Sequence, residues 1–186
     1  MPNLDGPGLI VRAQGGDVDA IGALYDQHHE SIFRYVWLRV GDRHLAEDLT
    51  GDVFMRMLNA LPGYRSVGLP FRAWLYRIAH NLLIDHYRTT GNRSALPLED
   101  IEDRQADDAD PPAAAEHTLL VERLQTALSK LDPPQRDVVA LRFVSGLSLR
   151  ETALALDKTE AAVKSLQHRG LAALRLALRE EQQVTV

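Results

Sequence analysis

Residues 147–175 read LSLRETALALDKTEAAVKSLQHRGLAALR. Ser148 followed three positions later by Glu151 is a capping box, and Thr159 offers a second cap just beyond Asp157-Lys158. The spacing predicts a helix over Ser148 to Leu156, a short turn, and a second helix from Thr159 to about Glu180. Two helices joined so closely form a helix-turn-helix. At 100° per residue the second helix places Val163, Leu166, Gly170, Leu174 and Ala177 on one face and Lys164, Ser165, His168, Arg169 and Arg175 opposite. Gly170 on the apolar stripe implies close packing, since glycine inside a helix otherwise costs about 1 kcal/mol relative to alanine.

The second helix of such a motif enters the major groove, where residues near its start reach base edges and its cations neutralise phosphates. Lys164 and Ser165 are therefore the base-reading candidates, with Arg169 and Arg175 as phosphate contacts. The competing reading, a merely solvated helix face, is weakened by the capped partner helix just upstream. Working back, Asp132-Pro133-Pro134-Gln135 marks a further helix start, with Asp132 as the expected cap, and Thr118 to Leu131 reads as another helix. The C-terminal part is thus four helices joined by tight turns.

The N-terminal part is also helical. Leu45, Leu49, Val53, Met57 and Leu61 recur every four residues on a helix that Asp42 can cap, and Pro62-Gly63 ends it. Ala20 to Val40 supplies a preceding amphipathic helix. A following one opens at Pro70 as a first-turn residue and runs to about Thr89, with Phe71, Leu75, Ile78, Ala79 and Leu82 inward. No β-branched alternation with hairpin turns occurs, so the fold is read as all-α. The segment PGYRSVGLPFRAWLYRIAHNLLIDHYRTTG (62–91) carries 4 Arg against one Asp, with 5 of the chain's 11 aromatic residues. Trp74, Arg77, Asn81 and Arg88 share a sector away from the apolar stripe. Cations for a backbone, a π-face for stacking and an amide for a base edge are what single-stranded nucleic acid needs. Packing of Trp74 between helices is the alternative.

Between these parts lies NRSALPLEDIEDRQADDADPPAAAEH (92–117), with 8 acidic residues against 2 Arg, more than the whole chain's net charge of −5. Lacking aromatics and rich in Pro and Asp, it cannot bury enough apolar area to order itself and is expected to be a flexible acidic linker rather than a long surface loop. The predicted organisation is a flexible N-terminus (1–17), a first helical domain (18–91), the linker (92–117) and a second helical domain (118–186).

The 186 residues include no Cys, which excludes disulfides and thiolate metal sites and suits a reducing cytoplasm. No stretch has the length and apolarity of a membrane span or of a signal peptide. The 7 His residues lack HExxH or paired-helix ligand spacing, so no metal is expected. There is no glycine-rich phosphate loop, and the linker carboxylates cannot be held at fixed separation. No cofactor and no catalytic residue is expected. A ligand-sensing helix-turn-helix regulator and an all-helical metal-dependent hydrolase are the rival readings.

AEDLTGDVFMRML (46–58), PFRAWLYRIAHNLLIDHYR (70–88), LDPPQRDVVALRF (131–143) and the opening stretch together resemble regions 2 and 4 of bacterial sigma-70 family factors. The resemblance is to the small extracytoplasmic-function kind, group 4, which has only those two domains. It implies a non-enzymatic, cytoplasmic promoter-specificity subunit of RNA polymerase. In that frame Glu47, Asp48, Asp52, Phe54 and Arg56 engage the clamp helices of the β′ subunit. The loop from Tyr64 to Leu69, Arg65 and Ser66 included, captures a flipped base of the non-template strand, and Trp74, Arg77, Asn81 and Arg88 serve the melted minus-10 element. Thr159 to Arg175 reads the minus-35 duplex through Thr159, Lys164, Ser165, His168, Arg169 and Arg175, while the rest of region 4 touches the β flap. An anti-sigma partner is implied as well. Two positions depart from the family pattern: Gly51 stands where a longer polar residue is usual, and Asp157 where the turn usually has Gly.

Overall fold

A computed structural model of the chain describes residues 6–90 and 123–184, and every regular element among them is helical. The acidic stretch 92–117 and the start of the helix expected from Thr118 lie outside the described residues. The elements are α1 (Pro7–Gln14), α2 (Val18–Val40), α3 (Arg43–Ala60), α4 (Phe71–Thr89), α5 (123–129), α6 (Pro133–Val139), α7 (Leu149–Ala155) and α8 (Glu160–Val184). A 3₁₀ turn, Leu61–Gly63, closes α3, and a π-type turn, Ala140–Val144, extends α6.

In the N-terminal module α2, α3 and α4 enclose a core of Leu24, Ile32, Tyr35, Val53, Met57, Leu75, Tyr76 and Leu83. The capping signals explain the boundaries. Asp17 accepts from the backbone of Asp19 and Ala20 at the start of α2, and Asp42 accepts from Leu45 at the start of α3. Gly41, at φ 75°, supplies the left-handed residue that lets α2 turn into α3. Pro70 sits one position before the helix it was expected to enter, as the N-cap of α4.

Within the stretch expected to be a flexible N-terminus, residues 7–14 form a helix. Pro7 occupies the first turn of α1, and Ile10 and Ala13 are buried against the core. Gln14 then donates to the carbonyls of Leu61 (2.9 Å) and Tyr64 (2.8 Å), tying α1 to the loop after α3. An 8-residue helix is too short to be stable alone, so its stability comes from docking, which no local pattern reveals.

In the C-terminal module the Ser148/Glu151 capping box forms in both directions, and Thr159 accepts from the backbone of Ala162. The expected cap at Asp132 does not form. Pro133 and Pro134 remove the backbone donors nearest it, and its carboxylate accepts instead from the Gln135 side chain at 3.2 Å. Gly170 lies where α8 crosses α6: a Cβ there would stand 2.8 Å from Val139 Cγ2 and 3.3 Å from the Gln135 carbonyl. Asp157 takes the turn position at φ 53°, the one non-glycine residue with positive φ among those described. Asp tolerates that region better than most residues.

Gly51 is exposed in the interior of α3, with nothing within 4 Å of the position a Cβ would take. Gly51→Ala is therefore expected to raise stability by about 0.5–1 kcal/mol through the entropy removed from the unfolded chain. A higher denaturant midpoint at unchanged slope is the measurement that checks it.

Candidate nucleic-acid and polymerase interfaces

The outer face of α8 is arranged as the wheel predicts. Val163, Gly170 and Ala177 are buried and Leu166 and Leu174 half-buried, while Lys164, Ser165, His168, Arg169 and Arg175 are exposed. Thr159 is exposed too, its hydroxyl committed to the cap. Because α8 is anchored along one side by Val163, Gly170 and Ala177, its opposite side presents cations on a rigid scaffold.

On α3, Glu47, Asp48, Asp52 and Arg56 are exposed, Glu47 paired with Arg43 (3.1 Å) and Arg56 with Asp85 of α4 (3.3 Å). Phe54 is placed differently from the contact residue it was expected to be. It is 4% exposed, with its ring 4.7 Å from Tyr25 and 6.1 Å from His29. These rings continue along α2 through Phe33 to Trp37, so Phe54 holds α3 against α2. Met55, which the sequence reading passed over, is the apolar residue that α3 exposes, at 58%. On the helical wheel Phe54 lies at the edge of the apolar stripe, where periodicity does not decide burial, while Met55 falls opposite the stripe and is exposed as that position requires.

The loop before α4 divides likewise. Arg65 and Ser66 are exposed and Val67 is 91% exposed at the tip, where Gly68 at φ 80° makes the bend. Tyr64 is buried. Its hydroxyl donates to the Leu69 carbonyl (2.7 Å), and its ring packs on Trp74 (4.6 Å) and edge-on to Phe71 (5.6 Å). Tyr64 thus spans the base of the loop and fixes its exposed tip, while Trp74, half-buried, completes an aromatic wall beside it.

Along α4, Asn81 and Arg88 are exposed, Arg88 lying 3.5 Å from Asp85. Arg77 is half-buried and points into the C-terminal module, as does Arg72, which the sequence reading did not single out. Between the modules lies a cavity of about 690 Å³ lined by Arg77, Asn81, Arg88 and Lys158 together with Arg39, His80, Asp137 and Asp157. Arg39 and Asp137 form an ion pair across it with side chains only 5% and 13% exposed. His80, from α4, places Nδ1 3.9 Å from the Asp137 carboxylate. Burial, helped by Arg39 and Lys158, holds the His80 imidazole down at about 4. No group of side chains able to hold a metal ion occurs among the described residues, and no helix among them is long and apolar enough to cross a membrane.

A capped helix-turn-helix with a cationic second helix, carried beside an all-helical bundle, is the architecture of a DNA-binding protein. Sigma-70 region 2 matches residues 24–93, and Sigma-70, region 4 matches residues 121–174. The ECF RNA polymerase sigma factor SigD of Mycobacterium tuberculosis is 35% identical over 90% of this chain and 81% of its own length. BldN of Streptomyces coelicolor, also an ECF RNA polymerase sigma factor, is 38% identical over 89% of this chain, which spans 63% of that protein. The solved structure of CnrH in complex with the cytosolic domain of CnrY is 27% identical, with a TM-score of 0.73 over 92% of this chain and 96% of that one. The chain belongs to the ECF RNA polymerase sigma factors, which direct transcription initiation from promoters.

Proposed function

We propose that this chain binds core RNA polymerase through the exposed part of α3, reads the minus-35 duplex with the outer face of α8, and holds the opened minus-10 strand with α4 and the loop at 64–69. The exposed row Lys164, Ser165, His168, Arg169 and Arg175, opposite a buried stripe on the same helix, is the observation that supports the reading most directly. Region 4 also touches the β flap, and region 2 the β′ clamp helices through Glu47, Asp48, Asp52 and Arg56, with Phe54 shaping that surface from beneath. Binding energy gained on the opened strand offsets an unstacking cost of a few kcal/mol per extruded base, while the polymerase supplies the chemistry. An anti-sigma partner belongs to the same proposal; the complex of CnrH with a cytosolic domain supports it. So does a cytoplasmic site of action. In domain terms, residues 18–91 act as region 2, 92–117 as the acidic tether and 118–186 as region 4.

Two measurements test this. Core polymerase with the chain is expected to initiate from a specific promoter, and no stimulation over core alone counts against the proposal. On duplex carrying the minus-35 element, Arg169→Ala and Arg175→Ala are each expected to weaken binding uniformly across sequences and to lower the salt-dependence slope by about 1. Ser165→Ala is expected instead to relax discrimination at one base pair. A slope unchanged in both arginine variants would remove α8 from the duplex. Stable duplex binding with no retention by core polymerase would favour a free-standing helix-turn-helix regulator.

A further inference from the structure

The loop at 64–69 is held at its base by a residue that precedes the segment matched by Sigma-70 region 2, residues 24–93. Gln14, the last residue of α1, donates through its amide nitrogen to two carbonyls, Leu61 at 2.9 Å and Tyr64 at 2.8 Å. Both partners are acceptors, so only the nitrogen of the Gln14 amide can face them, and each takes one of its two protons. The Leu61 carbonyl also accepts from the Tyr64 amide at 3.0 Å and is held within the 3₁₀ turn by the backbone itself. The Tyr64 carbonyl is different, because it belongs to the planar peptide that joins Tyr64 to Arg65. Holding that oxygen sets the direction in which the exposed residues Arg65, Ser66 and Val67 leave the protein surface.

Gln14 can direct the loop because α1 is itself fixed. Ile10, one turn before it, and Ala13, beside it, are buried in the core of the N-terminal module. Just beyond it Asp17 caps α2 and pairs with Arg12 of α1 at 2.7 Å, so the corner is tied on both sides of Gln14. At the far end of the loop the Tyr64 hydroxyl holds the Leu69 carbonyl. Between these ties residues 65–68 make no hydrogen bond to any described residue. The tip therefore takes its orientation from its two ends. Val67 stands three residues beyond Tyr64, about 10 Å of extended chain. At that reach a rotation of about 15° in the Tyr64–Arg65 peptide moves the tip by about 2–3 Å, far more than the roughly 0.5 Å range of a base-reading hydrogen bond.

We propose that Gln14 is a positioning residue for base capture: by holding the Tyr64–Arg65 peptide it sets where the loop meets the extruded base, so that discrimination at that base depends on α1. The inference rests on the reading of the 64–69 loop as the base-capturing element. Gln14 acts through the Tyr64 carbonyl and touches no base itself. Docking of α1 through Ile10 and Ala13 is thereby coupled to promoter selectivity, although α1 presents no residue to the strand.

The test is binding of the full chain with core polymerase to a labelled non-template strand from a promoter it initiates from, with each of the four bases placed in turn at every minus-10 position. The ratio of affinities between bases is the readout, because a loss of folded protein lowers all four affinities alike and leaves their ratio unchanged. Gln14→Met keeps the length of the side chain and removes both donors. It is expected to cut discrimination at one minus-10 position at least fivefold and to leave the ratios elsewhere as they were. Gln14→Glu, of the same shape, turns a carboxylate toward the two carbonyls and is expected to cut it further at pH 7. Retained helical ellipticity verifies that both variants fold. A loss shared equally by all four bases overturns the positioning role. So do ratios unchanged in both variants while Ser66→Ala or Val67→Ala alters one of them, and the loop then keeps its base. Ratios unchanged in the loop variants and the Gln14 variants alike overturn the reading of the loop, and the inference with it.

Discussion

Arg136→Ala is expected to unfold the C-terminal module well below the melting temperature of the native chain. Arg136 is 4% exposed, and its guanidinium donates to the carbonyls of Leu128 (2.9 Å), Ser129 (3.0 Å) and Leu131 (3.1 Å). Leu128 and Ser129 lie in the last turn of α5 and Leu131 just beyond it, and although the Leu131 amide also reaches the Leu128 carbonyl (3.1 Å), one side chain from the first turns of α6 closes the end of its neighbour. Burial, with Arg39 as a second cause, already pushes this guanidinium below its ordinary range. Truncation removes three charge-assisted bonds and leaves buried acceptors without donors, a loss of about 3–5 kcal/mol. In a module of this size that lowers Tm by more than about 10 °C. Hydrogen exchange of the α5 and α6 amides locates the loss, with α2 and α3 protected as before. Arg136→Lys, with one compact ammonium, restores only part of it. A shift below about 1 kcal/mol would mean that water replaces the guanidinium.

Helix existence was legible because its determinants are local. Asp42, Ser148, Glu151 and Thr159 act within three or four residues of themselves, and each takes the capping role its spacing announces. The cationic face of α8 was legible for the same reason: one period of 3.6 residues sorts Val163 and Gly170 from Lys164 and Arg169. Periodicity says which face is apolar and nothing about what covers the boundary between faces. Phe54 and Tyr64, assigned to partner surfaces, are buried by Tyr25, His29, Phe71 and Trp74 from elsewhere in the chain. Arg39, His80, Arg136 and Asp137 left no local trace. Their meaning lies in contacts between elements far apart in sequence, and a lone Arg or His in an amphipathic helix reads as solvated until its neighbour is known.

The same buried cluster is expected to make the contact between the two modules depend on pH. His80 is packed by Arg39 from α2, by Asp137 from α6 and by Lys158 beyond α7, with Arg77 one turn before it on α4. The Asp137 carboxylate is engaged by Arg39, so loss of water, with the Arg39 and Lys158 cations adding to it, holds the imidazole down at about 4 from its ordinary 6.5. The closed form, with the modules in contact, therefore binds fewer protons than the open form between these values. Its stability from this group is fully present above pH 6.5, declines as pH falls, and is lost below about 4. Lowering the pH from 7 to 5, above the ordinary aspartate range, is expected to shift the equilibrium toward the open form by about 2 kcal/mol, roughly thirtyfold. Scattering across that range reads it as an increase in radius of gyration. His80→Gln, unable to titrate, is expected to flatten the profile, and a native profile already flat between pH 7 and 5 would show that His80 stays buried when the modules part.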